Sequence, residues 1–317
     1  MAEGSNITRL EHFQLLEEHE EDVFKVFSEL NISEQLPELF LQLSPFKPNK
    51  PGPKAKYIEE IIMQNSFGSV VLNGTELTVF DEDVLLAIIS TKKQIVGGDY
   101  YFNTSLREIS NLIGTTWRGA KFDNEGNLKG NSTPKQILQS IHRLWSAGLT
   151  INVYKQKQAH NIRLITYYAN PLLDENLVKH YIPGVKDQIK VKISKEFLYF
   201  YHIFKKFTIK LEDRIKINHI LGKAIYRYLT YLTTFKYNGI HEERLSLLIT
   251  KINWDLPRKN KEDIYIDWRE VKRQLDGAAK GLFLVGIVLQ FPEKISEDSK
   301  ITFKNQYGQA PDIDKIQ

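Results

Sequence analysis

The chain has 317 residues, a formal net charge of +4 and no cysteine. The absence of cysteine excludes disulfides, thiolate nucleophiles and cysteine-ligated zinc or iron–sulfur sites, and it suits a reducing compartment. The longest apolar stretch, residues 281–290, has the length of one strand and is too short to span a membrane. We therefore expect a cytoplasmic protein without membrane contact, and its 42% hydrophobic content suffices for two domain cores.

The charge is divided unevenly along the chain. Residues 1–44 contain two basic and ten acidic residues, whereas the rest contains 41 basic and 29 acidic residues. A basic body favours a protein that approaches phosphate groups. Because lysine-rich solvated surfaces are also common, the order of the predicted elements has to decide between the two interpretations.

The first predicted unit is an N-terminal extension. Apolar residues at helical spacing predict short helices within residues 1–44. Four prolines between residues 45 and 53 then prevent a helix from continuing, which predicts a linker. We assign residues 1–54 to an acidic helical extension with a proline-rich linker, residues 55–175 to a first domain and residues 176–317 to a second.

The first domain opens with two short predicted strands and then two helices. The first of these helices is expected to begin with Asp81 as its cap. The second covers residues 105–113, because Ser105 and Glu108 have the spacing of a capping box and Gly114 follows as a helix terminator.

A third helix and a β-hairpin follow a glycine-rich loop. Thr133 is expected to cap this helix, with Pro134 in its first turn, and the helix runs to residue 146. Strands at 149–154 and 162–168, joined by a polar turn, form the hairpin. Three helices followed by a hairpin is the order of a winged helix-turn-helix.

The third helix divides into an apolar stripe and a polar face without acidic residues. Glutamine, lysine, arginine and histidine are the side chains that bind base edges and phosphates. The predicted DNA-binding residues of this helix are Lys135, Gln136, Gln139, His142 and Arg143.

The same order of elements occurs again in the second domain. An alternating strand at 188–194 and an aromatic helix at 197–207 precede a long helix at 211–235 and a further helix at 242–252. Asp267 then caps a basic helix, and strands at 283–291 and 300–304 follow it. The sequence therefore predicts an α+β protein with two tandem winged-helix domains and a short helical N-terminal extension.

The basic helix of the second domain has the more strongly charged outer face. Its predicted DNA-binding residues are Arg269, Lys272, Arg273, Gln274 and Lys280, with Asp276 on the same face. The hairpins, or wings, are expected to contact phosphates through Lys155, Lys157, Arg163, Lys294 and Lys300.

The sequence lacks the motifs of common catalytic and metal sites. It contains neither of the glycine-rich phosphate-binding loops, and its eight histidines show no metal-ligand spacing. We therefore predict a protein that is not an enzyme and that has no cofactor and no bound metal. One enzymatic alternative remains, because His241 and Arg244 match a short motif of tyrosine recombinases and Tyr265 follows as a possible nucleophile.

Several segments of both domains resemble TrfA-type plasmid replication initiators. In the second domain these are residues 207–216, 221–232 and 267–275, and in the first they are 77–89 and 135–144. The likeness extends over roughly residues 70–305 and is one of pattern, with few invariant residues. It implies a tandem winged-helix fold and binding to repeated origin sites (iterons) in double-stranded DNA, which opens adjacent DNA and controls plasmid copy number.

The resemblance also implies protein partners. Initiators of this type recruit the host helicase and sliding clamp, and their self-association to dimers affects origin binding. Gln42, Leu43 and Phe46 resemble the short peptide that docks into bacterial sliding clamps, although Pro45 stands where that peptide has leucine. Packing of this segment on the first domain is the competing interpretation.

Two binding alternatives stay open alongside the initiator. One is a winged-helix transcriptional regulator, and the other is a tandem winged helix that binds protein partners in a chromosome-organising complex. The sequence leaves undecided whether Trp117, Arg118 and Lys121, in the loop at 115–132, contact DNA.

Overall fold

A computed structural model of the chain describes residues 33–49, 57–96, 99–118, 132–154, 158–169, 188–232, 235, 239–259 and 265–306. Helices and sheets are mixed throughout these residues, which confirms the α+β class. We refer below to the N-terminal segment (33–49), the first half (57–203) and the second half (206–306).

The N-terminal segment and the first half contain eleven of the strands and five of the helices described. They are, in chain order, β1 (Gln35–Pro37), α1 (Glu38–Gln42), β2 (Phe46–Lys47), β3 (Tyr57–Gln64), β4 (Gly68–Thr75), β5 (Leu77–Thr78), α2 (Val79–Ile89), β6 (Lys92–Val96), β7 (Asp99–Ser105), α3 (Leu106–Leu112), α4 (Thr133–Ser146), β8 (Gly148–Val153), β9 (Gln158–Arg163), β10 (Ile165–Ala169), β11 (Gln188–Ile193) and α5 (Lys195–Ile203).

The second half is smaller and has one three-stranded sheet. Its elements are β12 (Lys206–Thr208), α6 (Leu211–Lys216), α7 (Ile220–Tyr231), β13 (Ile240–Arg244), α8 (Leu245–Ile252), α9 (Trp268–Phe283), β14 (Ile287–Gln290) and β15 (Lys300–Asn305). The strand order of the sheet is β13–β15–β14, with both pairs antiparallel.

Two four-stranded antiparallel sheets organise the first half. One has the order β3–β4–β8–β9, so the hairpin that follows α4 is extended by an earlier hairpin. The other has the order β10–β11–β7–β6. The predicted strand at 162–168 is therefore wrong as a single element, because residues on the two sides of Leu164 pair in different sheets.

The strand β11 joins the first half although it follows a long gap in the described chain. It pairs with β7 over five residues and with β10, and its alternate residues Ile189, Val191 and Ile193 are buried. The predicted division at residue 175 assigned this strand to the second domain. Its backbone hydrogen bonds place it in a sheet of the first half, because the N–H and C=O groups of a buried strand need partners on neighbouring strands.

The helix starts follow the local capping signals, with shifts of one to three residues. Ser105 accepts a hydrogen bond from the Glu108 backbone N–H at 3.0 Å, and Asp267 accepts from the N–H groups of Arg269 and Glu270 at 3.2 Å, as predicted. The predicted cap at Asp81 is wrong, because α2 begins at Val79 and the Asp81 carboxylate instead accepts from the backbone N–H of Thr78 at 2.8 Å.

The third helix also starts one residue earlier than predicted. Ser132, and not Thr133, is the residue that flanks α4. The Thr133 hydroxyl is engaged outside the helix, where it donates to the Thr116 carbonyl and accepts from the backbone N–H of Arg118, both at 2.9 Å.

The predicted long helix at 211–235 is wrong, since two helices, α6 and α7, replace it. The break lies at Ile217, whose backbone is extended and whose side chain is fully buried. A β-carbon added at Gly222 or Gly281 would lie 2.8 or 3.1 Å from Ile217, so the break inserts this side chain between α7 and α9. Burial of one large apolar side chain is worth about 1.5–3 kcal/mol, enough to end a helix.

The predicted helix at 242–252 begins later, at Leu245. Residues 240–244 pair antiparallel with residues 300–304 as β13, so their backbone groups are used by the sheet. Likewise, the predicted strand at 283–291 is reduced to β14, because α9 continues to Phe283. In both places a neighbouring element decides a boundary that local preference leaves open.

The N-terminal segment is packed into the molecule. β1 pairs with β12 of the second half, and β2 pairs with β5 of the first half. The Lys47 ammonium lies 2.8 Å from a Glu76 oxygen and 3.0 Å from an Asp255 oxygen, so one side chain joins both halves. Residues 1–32, where most of the predicted acidic helices lie, are outside the described residues, as are 50–56 of the linker.

A buried cluster of ion pairs joins the two halves at the start of α2. Glu82 and Asp83 are at most 4% exposed. Arg214 of α6 lies 2.6 Å from Asp83 and 3.0 Å from Glu82, and Arg227 of α7 lies 2.9 Å from Glu82. Charges taken out of water need such paired geometry, so this cluster fixes α2 against α6 and α7.

Candidate nucleic-acid interface

The helix α4 presents a polar outer face in the first half. Its core residues Ile137, Ile141 and Leu144 are completely buried. The predicted DNA-binding residues Gln136, Gln139 and His142 are exposed and Lys135 is half-buried. Because the first turn contains no acidic residue, this face carries no charge that would repel phosphate.

His142 has a defined orientation on this face. Its ring nitrogen Nδ1 lies 3.0 Å from the hydroxyl of Tyr168 on β10, and its ring packs on Trp145 at a centroid distance of 5.4 Å. Burial raises the pKa of Tyr168, so its hydroxyl stays neutral in the ordinary pH range. This contact holds one edge of the imidazole and leaves the other for a ligand.

Arg143 was also predicted to bind DNA, but in the structure its side chain is engaged inside the protein. Its guanidinium makes a bidentate pair with the Asp81 carboxylate, with distances of 2.7 Å from Nη2 and 3.0 Å from Nε to Oδ1. The Arg143 side chain is 11% exposed and that of Asp81 is 0% exposed. A buried carboxylate needs a positive partner, and Arg143 of α4 is that partner for Asp81.

The helix α9 is positioned in the second half by small residues at its contact with α7. Helical spacing predicts a core stripe of Trp268, Val271, Leu275, Ala278 and Leu282; the last four are buried, and Trp268 is half-buried. A β-carbon at Gly277 would lie 2.6 Å from the His219 ring. Because glycine stands at this contact, α9 lies close against α7 with its opposite face exposed.

That opposite face of α9 is basic. Arg269, Arg273 and Lys280 are exposed, and Lys272 is half-buried. Arg273 pairs with Glu270 at 2.7 Å through Nε, and this hydrogen bond holds the pKa of Glu270 below its usual value. The Arg273 side of this ion pair is exposed to solvent, and exposed ion pairs contribute little free energy. A phosphate group can therefore compete with Glu270 for Arg273.

Gln274, also predicted to bind DNA, is partly engaged inside the protein. Its side-chain oxygen accepts a hydrogen bond from the indole N–H of Trp254 at 3.2 Å, and its amide donates to Glu270 at 3.0 Å. With both polar ends in use, Gln274 supports the packing of α9 against the turn after α8.

Three of the five side chains that were predicted to contact phosphates lie in the described parts of the hairpins. Arg163 is exposed at the end of β9 and Lys294 is exposed in the turn between β14 and β15. Lys300 is exposed but lies 2.5 Å from the Glu242 carboxylate on the neighbouring strand. Lys155 and Lys157 lie outside the described residues.

Two of the three predicted clamp-binding residues, Leu43 and Phe46, are buried, and the third, Gln42, is half-buried. Leu43 and Phe46 are 0% exposed. The Gln42 side chain donates to Glu38 at 2.7 Å, and its backbone carbonyl accepts from Asn65 at 2.8 Å. Leu43 and Phe46 are therefore not accessible to a partner in this structure, and binding of this segment to a clamp stays a prediction.

Among the residues of the recombinase alternative, His241 is engaged in structural contacts, whereas Arg244 is exposed. The His241 imidazole lies 3.2 Å from the Tyr228 hydroxyl and stacks on Phe303 at 6.1 Å between centroids. Glu243 beside it is buried, which alone would raise its pKa, but hydrogen bonds from His241, Lys251 and Tyr228 lower it. Tyr265 is exposed. The absence of catalysis stays a prediction.

Two exposed arginines near α4 did not enter the predicted site. Arg107 on α3 is exposed, and so is Arg118 just after Trp117. Their sequence positions carried no periodic signal, because Arg107 lies on α3 and Arg118 lies in the segment after that helix.

Comparisons with known proteins identify similar folds. No family model matches the chain, and no curated protein matches it. The crystal structure of selenomethionine derivatives of domains 2 and 3 of RctB has 13% sequence identity and a TM-score of 0.50, and covers 81% of this chain and 94% of that one. At this identity the likeness concerns the fold alone.

Two further structures are similar over most of the chain. A second structure of RctB domains 2 and 3 has 13% identity and a TM-score of 0.48, covering 81% of this chain and 94% of that one. The Pi initiator protein, crystallised in complex with iteron DNA, has 14% identity and a TM-score of 0.47, covering 73% of this chain and 91% of that one. Within the described residues of our chain, no helix is long and apolar enough to cross a membrane.

Proposed function

We propose that this protein is a sequence-specific DNA-binding replication initiator of plasmid type, with two winged-helix units that bind repeated origin sites. The observation that carries the proposal is the outer face of α9, where Arg269, Arg273 and Lys280 are exposed on a helix directly followed by a hairpin. Arginine binds guanine and phosphate with two parallel hydrogen bonds, and a helix of this width fits the major groove.

The order of elements in the second half supports a winged helix. Helix α7, strand β13, helices α8 and α9 and the strands β14 and β15 follow in the order of that fold, with β13 paired to β15. In such folds the third helix enters the major groove and the hairpin reaches the backbone. The exposed Lys294 lies in the hairpin turn, where a phosphate contact is expected.

The first half supports a second unit of the same kind. Helices α2, α3 and α4 precede the hairpin β8–β9, and α4 exposes Gln136, Gln139 and His142. The two halves are joined by the buried ion pairs of Glu82 and Asp83. A rigid junction suits a protein that binds two successive grooves of one repeat, because it sets the spacing of the two helices in advance.

The sequence resemblance to TrfA-type initiators favours an initiator over a transcriptional regulator. The fold similarity to domains 2 and 3 of RctB agrees with a two-unit arrangement of this length. The proposed role implies host helicase and sliding clamp as partners and self-association as a possible control. In this structure a clamp contact would need a surface other than Leu43 and Phe46, which are buried.

The test uses the full chain and the DNA that flanks its gene. We expect footprints on direct repeats spaced by about two helical turns, with affinity that falls steeply as salt rises. Plasmid replication in cells should require both the gene and the repeats. Binding to a single palindrome at a promoter would indicate a regulator, and absence of salt-sensitive DNA affinity would indicate a protein-binding module. Strand cleavage that Tyr265→Phe abolishes would indicate the recombinase.

A further inference from the structure

Three residues outside the predicted site, Arg107, Trp117 and Arg118, lie near the start of α4. The segment 115–118 follows α3 and is held by backbone hydrogen bonds at both of its ends. The Thr115 backbone N–H donates to the Ser110 carbonyl at 3.0 Å, and the Thr133 N–H donates to the Arg118 carbonyl at 3.1 Å. The backbone of Arg118 is thereby fixed next to the first residue of α4.

The same segment orders a second arginine. The guanidinium carbon of Arg107 lies 5.3 Å from the centre of the Trp117 ring, within the range of a cation–π contact. Trp117 itself is half-buried and packs against the core. Stacking on a fixed ring reduces the freedom of the arginine side chain, while its N–H donors stay directed outward in the plane of the guanidinium.

Neither arginine is neutralised within the described part of the chain. No described carboxylate makes an ion pair with Arg107 or Arg118, in contrast to Arg143 and Arg273. Both are exposed, Arg107 on α3 and Arg118 in the segment that follows this helix. Two uncompensated guanidinium groups held by a common segment favour an anionic ligand.

We infer that Arg107 and Arg118 bind backbone phosphates of DNA at the Thr133 end of α4, with Trp117 as a positioning residue. This inference rests on the proposed function, in which α4 enters a major groove. In that geometry the helix before the groove-binding helix crosses the sugar–phosphate backbone, and α3 is that helix here. Phosphate contacts of this kind fix the register of α4 on the duplex and do not read the sequence.

The test compares Arg107→Ala, Arg118→Ala and the double variant with the unchanged full chain. Each is titrated against a duplex with one repeat and a random-sequence duplex, over a range of salt concentrations. We expect several-fold weaker binding to both duplexes, and a salt slope reduced by about 0.9 for each arginine removed. Arg107→Lys with Arg118→Lys should restore most of the slope, since the charge is retained.

Trp117 and Lys205 supply the controls. Trp117→Leu should weaken binding as Arg107→Ala does, whereas Trp117→Phe should retain most of the affinity, because the aromatic face is kept. Lys205 is another exposed cation, held 5.3 Å from the Phe207 ring next to β12, and Lys205→Ala should leave the salt slope unchanged. Thermal unfolding of every variant checks that the fold is retained.

The outcomes separate this inference from the proposed function. Unchanged salt slopes for the double arginine variant, with binding lost in Arg269→Ala plus Arg273→Ala, would overturn the inference alone. Unchanged binding in both sets would overturn the proposed function as well. An equal loss in Lys205→Ala would show a general effect of net charge and would also overturn the inference.

Discussion

The helices α4 and α9 have the same sequence pattern but use their arginines differently. Each has an apolar stripe and, on the remaining side, a set of polar residues that includes arginine. In α4, Arg143 lies against the buried Asp81 and is 11% exposed, whereas in α9 the side chain of Arg273 is 78% exposed beside Glu270. The depth of the carboxylate partner decides whether an arginine stabilises the fold or remains available to a ligand.

The two halves differ in where the positive charge for DNA binding lies. The polar face of α4 is mainly one of glutamine and histidine, with added charge from the segment at Arg107 and Arg118. The face of α9 carries its charge on the helix itself. We therefore expect α9 to contribute more to affinity and α4 to depend on its neighbouring segment.

The largest expected effect concerns the stability role of Arg143. Arg143→Ala leaves the Asp81 carboxylate buried with only hydroxyl and amide donors, and breaking a buried pair costs about 3–5 kcal/mol in the free energy of unfolding. Urea or thermal unfolding measures this loss. Gln139→Ala, one turn away and exposed, is the matched control and should change stability little.

A double variant tests the cause of that loss. Asp81→Asn with Arg143→Met removes both charges, so part of the stability lost in Arg143→Ala should return. If Arg143→Ala kept the stability of the unchanged chain but lost DNA affinity to the same extent as the α9 variants, Arg143 would be a DNA ligand and the contrast between the two helices would be wrong.

The second expected effect concerns DNA affinity at α9. Replacing Arg269 and Arg273 together by alanine should lower affinity for the repeat at least about tenfold, because base-edge contacts of arginine each contribute that order of discrimination. Binding to random-sequence DNA should fall less, and titration of the two duplexes side by side measures the ratio. Thermal unfolding should stay unchanged, since both side chains are exposed. If the double variant still preferred the repeat over random-sequence DNA to the same extent, the sequence-reading contacts would lie on α4.

The smallest expected effect compares two lysines of the second hairpin. Lys294 is exposed in the turn, whereas Lys300 is 2.5 Å from Glu242. Lys294→Ala should reduce the salt slope of binding by about one unit and weaken binding to all sequences alike. Lys300→Ala should have a smaller effect, because its charge is already compensated. Equal slopes for the two variants would show that the ion pair opens on binding DNA.

Local signals predicted much of the secondary structure. The cap at Ser105, the cap at Asp267 and the buried stripe of α9 were read correctly, because a capping residue and a helical repeat act within a few positions of the chain. The errors at Asp81 and Thr133 are shifts of three residues and one residue along the chain, where more than one polar residue can serve as a cap.

Long-range pairings lay beyond the sequence. The pairing of β1 with β12 joins residues 35–37 to 206–208, and β11 pairs with β7 across more than eighty residues. Nothing in the local pattern distinguishes these partners from other strands of similar composition, since side-chain alternation sets the face of a strand but not its neighbour. The burial of Leu43 and Phe46 follows from the same pairings.

By itself the sequence determined the mixed helix and sheet class, the polar faces of α4 and α9 and the uneven charge along the chain. The tertiary structure alone decided that Arg143 turns to Asp81, that the N-terminal segment joins the two halves and that Arg118 lies beside Thr133. The physical reason is the same in each instance. Helical periodicity determines which side chains share a face. Whether a charged side chain on that face can bind a ligand depends on the partners that folding brings near it.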